Sequence, residues 1–403
     1  MKIAAIITEY NPFHNGHEYQ INKTRELLGP DTAIIAIMSG NYTQRGELAF
    51  ADKTVRAEAA VRCGVNLVLE LPFPYSMSSA EFFAKSGVKI ASELGIVDYL
   101  VFGSECGDVD NLCEIAENML SEKFADELIL REKEESNLGH AALCERVYRE
   151  MYGKKLSAGF LTPNNILAIE YIKAIRSLNS PIIPLTIKRE GADYLSSYTD
   201  GTKLQSASAI RSMMYSDLTS AFDYVPKNAK SVFLEAINSG SAPTFTESLD
   251  TAIISHFRLN SPAADCDIHD AGGGLYNRLC QMSLTATTFS SLVSMTETKK
   301  YTTARIRRAI WNSYFGVTSS VVRALPKFTQ VLAMDGVGRS LLKKVKKMSD
   351  FPIFTKPSSY RSESHEVVMQ KELSNKADAV FDLTRKKPIS ATFALTFTPY
   401  VKE

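Results

Sequence analysis

The sequence predicts an α/β fold with a parallel β-sheet, and three observations support this class. Short, nearly continuous apolar runs recur through the first half of the chain, for example at residues 2–8, 32–38 and 65–71. Such runs are typical of strands that are buried on both faces of a parallel sheet. A segment of helical character follows each run, as the crossover between parallel strands requires. The composition, with 45% hydrophobic and 23% charged residues, is that of a globular protein.

The individual elements of the first half follow from these runs and from the residues that interrupt them. In chain order, the sequence predicts a strand at 2–8, a helix at 16–28, a strand at 32–38, a helix at 51–62, a strand at 65–71, a helix at 78–94, a strand at 99–102 that ends in Gly103, helical residues over 110–151, a helix at 163–178, a strand at 181–187 and a helix that opens with SASAIR at 206–211. Thr162 suits the N-cap of the helix at 163, because Pro163 then occupies its first position.

The second half of the chain has a different character. Beyond about residue 225 the strand signal fades, and the remaining residues are mostly helix-like. We therefore predict two domains, residues 1–225 and a mostly helical domain over 226–403. Residues 299–347 contain twelve Lys or Arg and a single acid, Asp335, which is a formal +11, so that the rest of this +1 chain carries −10. This asymmetry predicts a module that binds a polyanion.

Composition also bears on the cellular compartment. No apolar run approaches the ~18 residues that span a bilayer, and the first residues lack the apolar core of a signal peptide. The six cysteines show no CxxC spacing, which argues against zinc knuckles and thioredoxin-like motifs. We expect a cytoplasmic protein with reduced thiols and no membrane contact.

A candidate phosphate site lies where the first strand meets its helix. The run from Thr8 to His17 contains two histidines three residues apart, with Gly16 between them. Ligands of open α/β sheets bind at the carboxyl ends of strands, where a helix N-terminus offers N–H donors and a partial positive charge. Two histidines in a surface loop would be the plain interpretation. The coincidence of strand end, proline turn, HxGH spacing and first crossover favours a nucleotide site.

The motif resembles a known signature. NPFHNGH at 11–17 is similar to the HxGH signature of the nucleotidyltransferase superfamily, which implies a Rossmann-like domain that binds ATP over the first crossover. The wider pattern resembles the bacterial tRNA(Met) cytidine acetate ligase family, in the segments EYNPFHNGH at 9–17, MSGNYTQRGE at 38–47, FGSE at 102–105, PNNILAIEY at 163–171, KREGADY at 188–194, SASAIR at 206–211 and KKYTTARIRRA at 299–309. Two departures from the family pattern are Leu195, where His is usual, and Ser208, where Thr is usual.

The resemblance implies a two-step ligase. ATP, with Mg²⁺, and acetate would give acetyl-adenylate and pyrophosphate. The N4 amine of the wobble cytidine, in the anticodon loop of elongator tRNA(Met), would then take the acetyl group to give N4-acetylcytidine, without acetyl-CoA. Such a route needs no enzyme nucleophile, in keeping with a sequence that has no Ser-His-Asp or Cys-His constellation.

The resemblance also implies residue roles. The catalytic residues would act on the triphosphate and on the departing pyrophosphate, and they are His14, His17 and Arg211. The ATP-binding residues would be Ile7, Thr8, Glu9, Tyr10, Asn11, Pro12, Phe13, His14, Asn15, Gly16, His17, Glu18, Tyr19, Gln20, Gly103, Asn165, Arg189, Ser206 and Ser208. Plain interpretations remain for two of them: Arg211 as a solvated helix cation, and Asn165 as a cap for the first turn of its own helix. We predict no protein-held metal.

The basic segment gives the candidate RNA contacts. These are Arg305, Arg307, Arg308, Lys343 and Lys344, which lie among aromatic residues able to stack on unpaired bases. For each single residue a solvated helix face is the plainer interpretation, whereas the segment as a whole favours RNA. Arg45, after the second strand, is either a contact to an anionic substrate or part of a turn. Two other functions stay open: a small-molecule adenylyltransferase, and an ATP-regulated RNA-binding protein without turnover.

Overall fold

One β-sheet runs through the part of the chain that the computed structural model describes, residues 1–134, 139–153, 162–189, 205–260 and 267–403. Its strands are β1 (Ile3–Thr8), β2 (Ala33–Ser39), β3 (Leu67–Leu71), β4 (Tyr99–Ser104), β5 (Ile183–Lys188), β6 (Thr329–Met334), β7 (Ile353–Phe354) and β8 (Tyr400–Val401). The order is β5-β4-β1-β2-β3-β6-β7, and β8 also pairs with β6. Strands β1 to β5 are mutually parallel, which confirms the predicted sheet.

Helices connect the strands and form the rest of the described chain. They are α1 (Asn15–Leu28), α2 (Lys53–Arg62), α3 (Ala80–Glu93), α4 (Val109–Leu120), α5 (Glu122–Glu134), α6 (His140–Tyr152), α7 (Pro163–Ser177), α8 (Ala207–Ser216), α9 (Leu218–Ala221), α10 (Lys227–Ser239), α11 (Asp250–Leu259), α12 (Leu275–Ser283), α13 (Phe289–Thr296), α14 (Thr303–Phe315), α15 (Ser319–Arg323), α16 (Gly336–Met348), α17 (His365–Phe381) and α18 (Phe393–Thr396). Thr162 is the N-cap of α7, as predicted.

Both faces of the sheet are covered, for the reason that its sequence indicated. In β1, Ile3, Ala5 and Ile7 belong to the core that α3, α4 and α7 close, whereas Ala4 and Ile6 belong to the core beneath α1, α2 and α10. Successive side chains of a strand point to opposite faces, so a strand packed on both sides must be apolar at every position. The apolar runs of the sequence meet this requirement.

The strand order creates the crevice in which the site lies. The chain passes from β1 to β2 and β3 on one side, and then returns to place β4 on the other side of β1. The connections that leave the carboxyl ends of β1 and β4 therefore run in opposite directions. In open α/β sheets, ligands bind at such a switch point.

The second half of the chain returns to the sheet, which corrects the expectation that strands end before residue 225. Strand β6 pairs antiparallel with β3, and β7 and β8 pair with β6. The run TQVLAM is buried along nearly its whole length, but it is a single short run without a repeating partner, so the sequence did not distinguish it from buried helix. The division into domains 1–225 and 226–403 stays a prediction.

Most of the remaining C-terminal helices pack around Trp311, which is fully buried. Residues that follow β2 and β3, Tyr42 and Phe73, share this core. A buried ion pair also joins the two halves: Lys53, which contacts Glu70 at 2.6 Å, also contacts Asp378 at 2.6 Å. In the described part of the chain, no helix has the length and the apolarity required to cross a bilayer.

Candidate active site

Two histidines lie where β1 passes into α1. His14 is the N-cap of α1, and its Nδ1 accepts a hydrogen bond from the backbone N–H of Gly16 at 3.0 Å. In return, Nδ1 of His17 accepts from the backbone N–H of His14 at 3.2 Å. The ring centroids are 3.8 Å apart. The three-residue spacing produces this reciprocal cap, because it brings the N-cap and N3 side chains together.

These hydrogen bonds fix the tautomer of both rings. A ring nitrogen that accepts a hydrogen bond carries no proton, so the neutral ring is protonated at Nε2. Burial, together with the charges of Arg189 and Arg211, lowers the pKa of His14 to about 3. Burial is also the main reason that the pKa of His17 lies well below its ordinary value. Both side chains are therefore neutral N–H donors at the positive end of α1.

The glycine of the motif is required by a close approach. A Cβ atom at Gly16 would lie 2.9 Å from Cε1 and 3.1 Å from Nδ1 of His14. Contacts below 3.0 Å force the neighbouring group to move, and the neighbour here is the imidazole itself. Glycine thus lets the ring lie over the first turn of α1 and accept its N–H.

Two arginines from distant parts of the chain flank the histidines. Arg211, on α8, donates from Nη1 to the backbone oxygen of Asn11 at 2.9 Å. Arg189 directly follows β5, and its side chain is exposed. Their charges act on the pKa of His14, so four of the predicted site residues lie together at the carboxyl ends of β1 and β5. This cluster of neutral donors and cations suits a triphosphate.

Gly103 and Asn165 stand beside this cluster in different roles. A Cβ atom at Gly103 would lie 3.0 Å from Cγ of Arg189, so glycine lets the arginine side chain cross β4. Asn165 is buried, and its Oδ1 accepts from the backbone N–H groups of Glu105 and Cys106 at 2.9 and 3.2 Å. Glu105 in turn accepts from the backbone N–H of Asn165 at 2.8 Å. These bonds join the start of α7 to the end of β4, so the side chain serves the residues after β4 rather than the first turn of its own helix; its contact with ATP stays a prediction.

The SASAIR segment begins α8 as expected. Ser206 is the N-cap, and its Oγ accepts from the backbone N–H of Ala209 at 3.2 Å. The hydroxyl of Ser208 lies 3.2 Å from that of Ser206, and both residues are exposed. The two hydroxyls are accessible to an anion at the N-terminus of the helix that carries Arg211.

The loop between β1 and α1 divides into buried and accessible residues. The side chains of Tyr10, Asn11, Pro12, Phe13 and Asn15 are buried. Contact between these residues and a nucleotide would therefore involve their backbone. Half-exposed residues are Thr8, Glu9, Gly16, His17, Glu18, Tyr19 and Gln20, while Ile7 is nearly buried in β1.

Sequence reasoning missed Arg56, which holds the loop in place. This side chain is fully buried in α2 and donates to the backbone oxygens of Glu9, Ser39, Gly40 and Ala51. It thereby links the residues that follow β1 to those that follow β2. A lone arginine in a helix pattern usually lies on a solvated face, so no signal in the sequence identified this role.

Glu47 was missed as well, although it belongs to a segment of the family resemblance. Its two carboxylate oxygens accept from Nη2 of Arg211 at 2.7 Å and from Nη1 of Arg307 at 2.6 Å. Gly46 has φ +72° and packs against the backbone of Arg308, where a Cβ atom would lie 2.8 Å from the nitrogen. The neighbouring Arg45 lies in the turn closed by Gly46 and is exposed.

The structure separates the predicted RNA contacts. Arg308 is buried and pairs with Asp270 at 2.7 Å, and Arg305 donates to the backbone oxygens of Asp270 and Gly272. Both guanidinium groups thus serve internal contacts, whereas Arg307 lies beside Glu47 near the histidine cluster. Their action on RNA stays a prediction.

Lys343 and Lys344 are exposed on α16, which begins at the opposite edge of the sheet. Asp335, the N-cap of α16, donates its backbone N–H to the oxygen of Asn66, the residue before β3. A Cβ atom at Gly338 would lie 2.0 Å from that same oxygen. This helix N-terminus is therefore capped and packed against protein. The basic segment 299–347 forms two separate surfaces.

Part of the sequence pattern lies outside the described residues. The last five residues of KREGADY, and Leu195 after them, fall in the range 190–204. Among the residues with described positions, no group of three or more His, Cys, Asp or Glu side chains is arranged to hold a metal ion.

The chain was compared with known proteins. The model of the HIGH Nucleotidyl Transferase family matches residues 1–393. A tRNA(Met) cytidine acetate ligase of Acetivibrio thermocellus is 34% identical over 99% of each chain, and one of Thermoanaerobacter sp. is 35% identical over 93% of each. Thermotoga maritima TmcAL bound with alpha-thio ATP superposes with a TM-score of 0.90 at 30% identity, covering 100% of both chains.

Proposed function

The chain belongs to the tRNA(Met) cytidine acetate ligase family of HIGH nucleotidyl transferases, and from that membership we propose that it acetylates the wobble cytidine of elongator tRNA(Met). ATP and acetate are the co-substrates. The observation that carries the proposal is the pair of neutral imidazoles at the start of α1, with Arg189 and Arg211 beside them. We propose that the reaction takes place in the cytoplasm, where tRNA would be its substrate.

In the first step, a carboxylate oxygen of acetate bonds to the α-phosphorus of ATP. The bond from this phosphorus to the bridging oxygen breaks, and pyrophosphate leaves with the electron pair. The Nε2–H groups of His14 and His17 donate to phosphate oxygens while charge grows on them, and Arg211 carries a compensating positive charge. Ser206 and Ser208 offer hydroxyl donors at the N-terminus of α8. Neutral donors suit this role, since they stabilise the anion without giving up a proton.

In the second step, the N4 lone pair of cytidine bonds to the acetyl carbon. The bond from that carbon to the phosphate oxygen breaks, AMP leaves, and N4 loses one proton. Converting acetate into a mixed anhydride replaces a poor leaving group by AMP. The chain therefore needs no acyl-enzyme, and acetyl-CoA has no place in the proposed route.

We propose that Mg²⁺ arrives with ATP and is held by the phosphates, because the described residues offer no cluster of ligands for it. The names of the relatives argue against two alternatives, a small-molecule adenylyltransferase and a binding protein without turnover. The relatives that cover nearly the whole chain are ligases by name.

The test is incubation of the purified protein with labelled acetate, ATP and total tRNA, followed by nucleoside analysis. We expect label in N4-acetylcytidine, dependent on ATP and unaffected by removal of acetyl-CoA. Label in no nucleoside, with AMP joined instead to a small phosphorylated acceptor, would contradict the proposal.

A further inference from the structure

A cavity of about 510 Å³ lies next to the histidine cluster. Its walls come from the segment after β2, from α8, from the residues before α11 and from α13 and α14. Arg211 lines this cavity and also donates to the backbone of Asn11 in the loop before His14. The same side chain thus borders both the phosphate cluster and the cavity. A cavity of this size lies in the range that binds small molecules or single nucleotides.

Two exposed aromatic rings form one side of the cavity. Tyr215 is 51% exposed and Phe245 36% exposed, and their centroids are 6.0 Å apart. The hydroxyl of Tyr215 donates to the backbone oxygen of Thr244 at 2.8 Å, and its ring contacts Phe50 edge-on. These contacts hold the ring in one orientation. Exposed, rigid aromatic rings are the surfaces on which unpaired bases stack.

The charged residues of the cavity point to the same class of ligand. Arg307 and Arg211 share the carboxylate of Glu47, so this cluster of three groups carries a net positive charge that attracts a nucleic-acid phosphate. Glu247 lines the cavity and is exposed. A carboxylate accepts a hydrogen bond from the N4 amino group of cytosine, whereas uracil offers an oxygen acceptor at that position and would be repelled.

We infer that this cavity receives the unpaired target cytosine of the RNA substrate. Tyr215 and Phe245 stack on the base, Glu247 accepts from its N4 amine, and Arg307 contacts a neighbouring phosphate. The inference rests on the proposed function and names the site of its second substrate. Because Arg211 borders both the cavity and the loop before His14, a base bound here would lie beside the proposed phosphate site.

Binding of an anticodon-stem-loop RNA with pyrrolo-cytosine at the target position tests the stacking. We expect the wild-type protein to quench the fluorescent base, and Phe245→Ala to bind the RNA roughly 5- to 150-fold more weakly with less quenching. Tyr215→Phe keeps the ring and should retain the quench. Leu120→Ala, at an exposed position on α4, is the matched control. Acetate-dependent pyrophosphate exchange, measured alongside, should keep its wild-type rate in Leu120→Ala.

The base preference tests Glu247. Wild-type protein should bind the stem-loop with cytosine at least about fivefold more tightly than the same RNA with uracil, and Glu247→Gln should lose this preference, because its amide offers both a donor and an acceptor. Unchanged affinity and quenching in Phe245→Ala, or an intact preference in Glu247→Gln, would overturn the inference. Failure of the wild-type protein to form acetylcytidine would instead contradict the proposed function, so the two failures are distinguishable.

Discussion

At the scale of single residues, we propose that the histidine pair acts through its neutral tautomers rather than through its charge. Each Nδ1 is occupied by a backbone N–H, and burial holds both rings neutral. Fixed neutral donors act where charge develops, which is the contribution that accelerates a reaction.

We predict that His14→Ala and His17→Ala each lower the rate of acetate-dependent pyrophosphate exchange by about 10²–10³. Exchange at the wild-type rate in either variant would contradict the assignment. The pH dependence adds a second check. The pKa of His14 is lowered to about 3, and burial lowers that of His17 well below its ordinary value. The profile of kcat/KM for ATP should therefore show no inflection near pH 6.5 from these groups.

We propose that Arg211 assists pyrophosphate departure, so its loss should affect the first step more strongly than the transfer to RNA. We predict that Arg211→Ala loses activity with ATP and acetate by at least about 10². Supplied with synthetic acetyl-adenylate and tRNA in single-turnover assays, the variant should recover most of the transfer rate. Cys106→Ser, at a half-buried thiol beyond β4, is the control and should stay active in both assays. No transfer from acetyl-adenylate by the wild-type protein, alongside transfer from acetyl-CoA, would refute the mechanism.

At the scale of elements, the turn after β2 and helix α14 are fitted to each other. The indole N–H of Trp311 donates to the backbone oxygen of Gly46 at 3.1 Å, and Arg307 and Arg308 surround the glycine. This contact positions Glu47 beside Arg307 and Arg211. The position of helix α14 therefore helps to set the position of the turn residues at the candidate active site.

Gly46→Ala should disrupt this fit. The new Cβ atom would meet Cβ of Arg307 at 2.7 Å in a backbone with φ +72°. We predict a loss of about 2–5 kcal/mol in the free energy of unfolding, the sum of a left-handed penalty and an overpacking penalty. Gly316→Ala is matched, with φ +67° and nothing within 4 Å, and should lose only about 1–2 kcal/mol. Urea unfolding measures both; equal losses would show that the close approach contributes nothing.

Helix α16 permits a separate test of the second basic surface. If Lys343 and Lys344 contact RNA phosphates, Lys343→Glu/Lys344→Glu should weaken tRNA binding and flatten the slope of log K against log salt by roughly 0.7–0.9 for each contact. Pyrophosphate exchange should not change, since α16 begins at the far edge of the sheet. An unaltered salt slope would restrict the RNA interface to the α14 side.

At the scale of the whole molecule, a buried charged cluster binds the two halves of the chain. Lys53 and Glu70 come from the first half, and Asp378 and Lys371 from α17. A buried charge that loses its partner is costly, about 3–5 kcal/mol. The sheet pairing of β3 with β6 joins the same halves. We therefore expect unfolding of the whole chain in one cooperative transition.

Lys371 is the strained member of this cluster. Burial, with the charge of Lys53, lowers its pKa to about 8, despite the opposing charges of Glu70 and Asp378. Below pH 8 Lys371 is charged in both the native and the unfolded state, but the native state binds this proton less tightly. The charged lysine therefore lowers the free energy of unfolding. Between pH 8 and about 10.5 the native lysine is neutral while the unfolded one is still charged, and the penalty is relieved.

We predict that Lys371→Met raises the free energy of unfolding at pH 7, by at most about 3 kcal/mol, and that its advantage over the wild type shrinks from pH 8 to pH 10. Chemical denaturation at several pH values measures this difference. Lys376→Met, at an exposed position on the same helix, should change stability by less than about 0.5 kcal/mol at every pH. A destabilised Lys371→Met at pH 7 would contradict the prediction.

The sequence by itself determined the parallel sheet, the order of its first five strands along the chain, and the HxGH loop at the first crossover, whose binding of phosphate stays a prediction. These features depend on local patterns: apolar runs buried on two faces, a proline turn, and a three-residue spacing that makes one histidine cap the other. Each of these patterns lies within a short stretch of residues, so it can be recognised in the sequence without knowledge of the tertiary structure.

Only the tertiary structure decided which side chains meet at the site. Arg211 and Glu47 are 164 positions apart in sequence, and Arg307 and Glu47 are 260 apart. It also decided that Arg308 is buried against Asp270 while Lys343 is exposed, and that a single apolar run in the second half becomes β6. Charge and hydrophobicity give each residue a tendency, but burial and pairing depend on which distant segment supplies the partner, and this is a property of the packed chain.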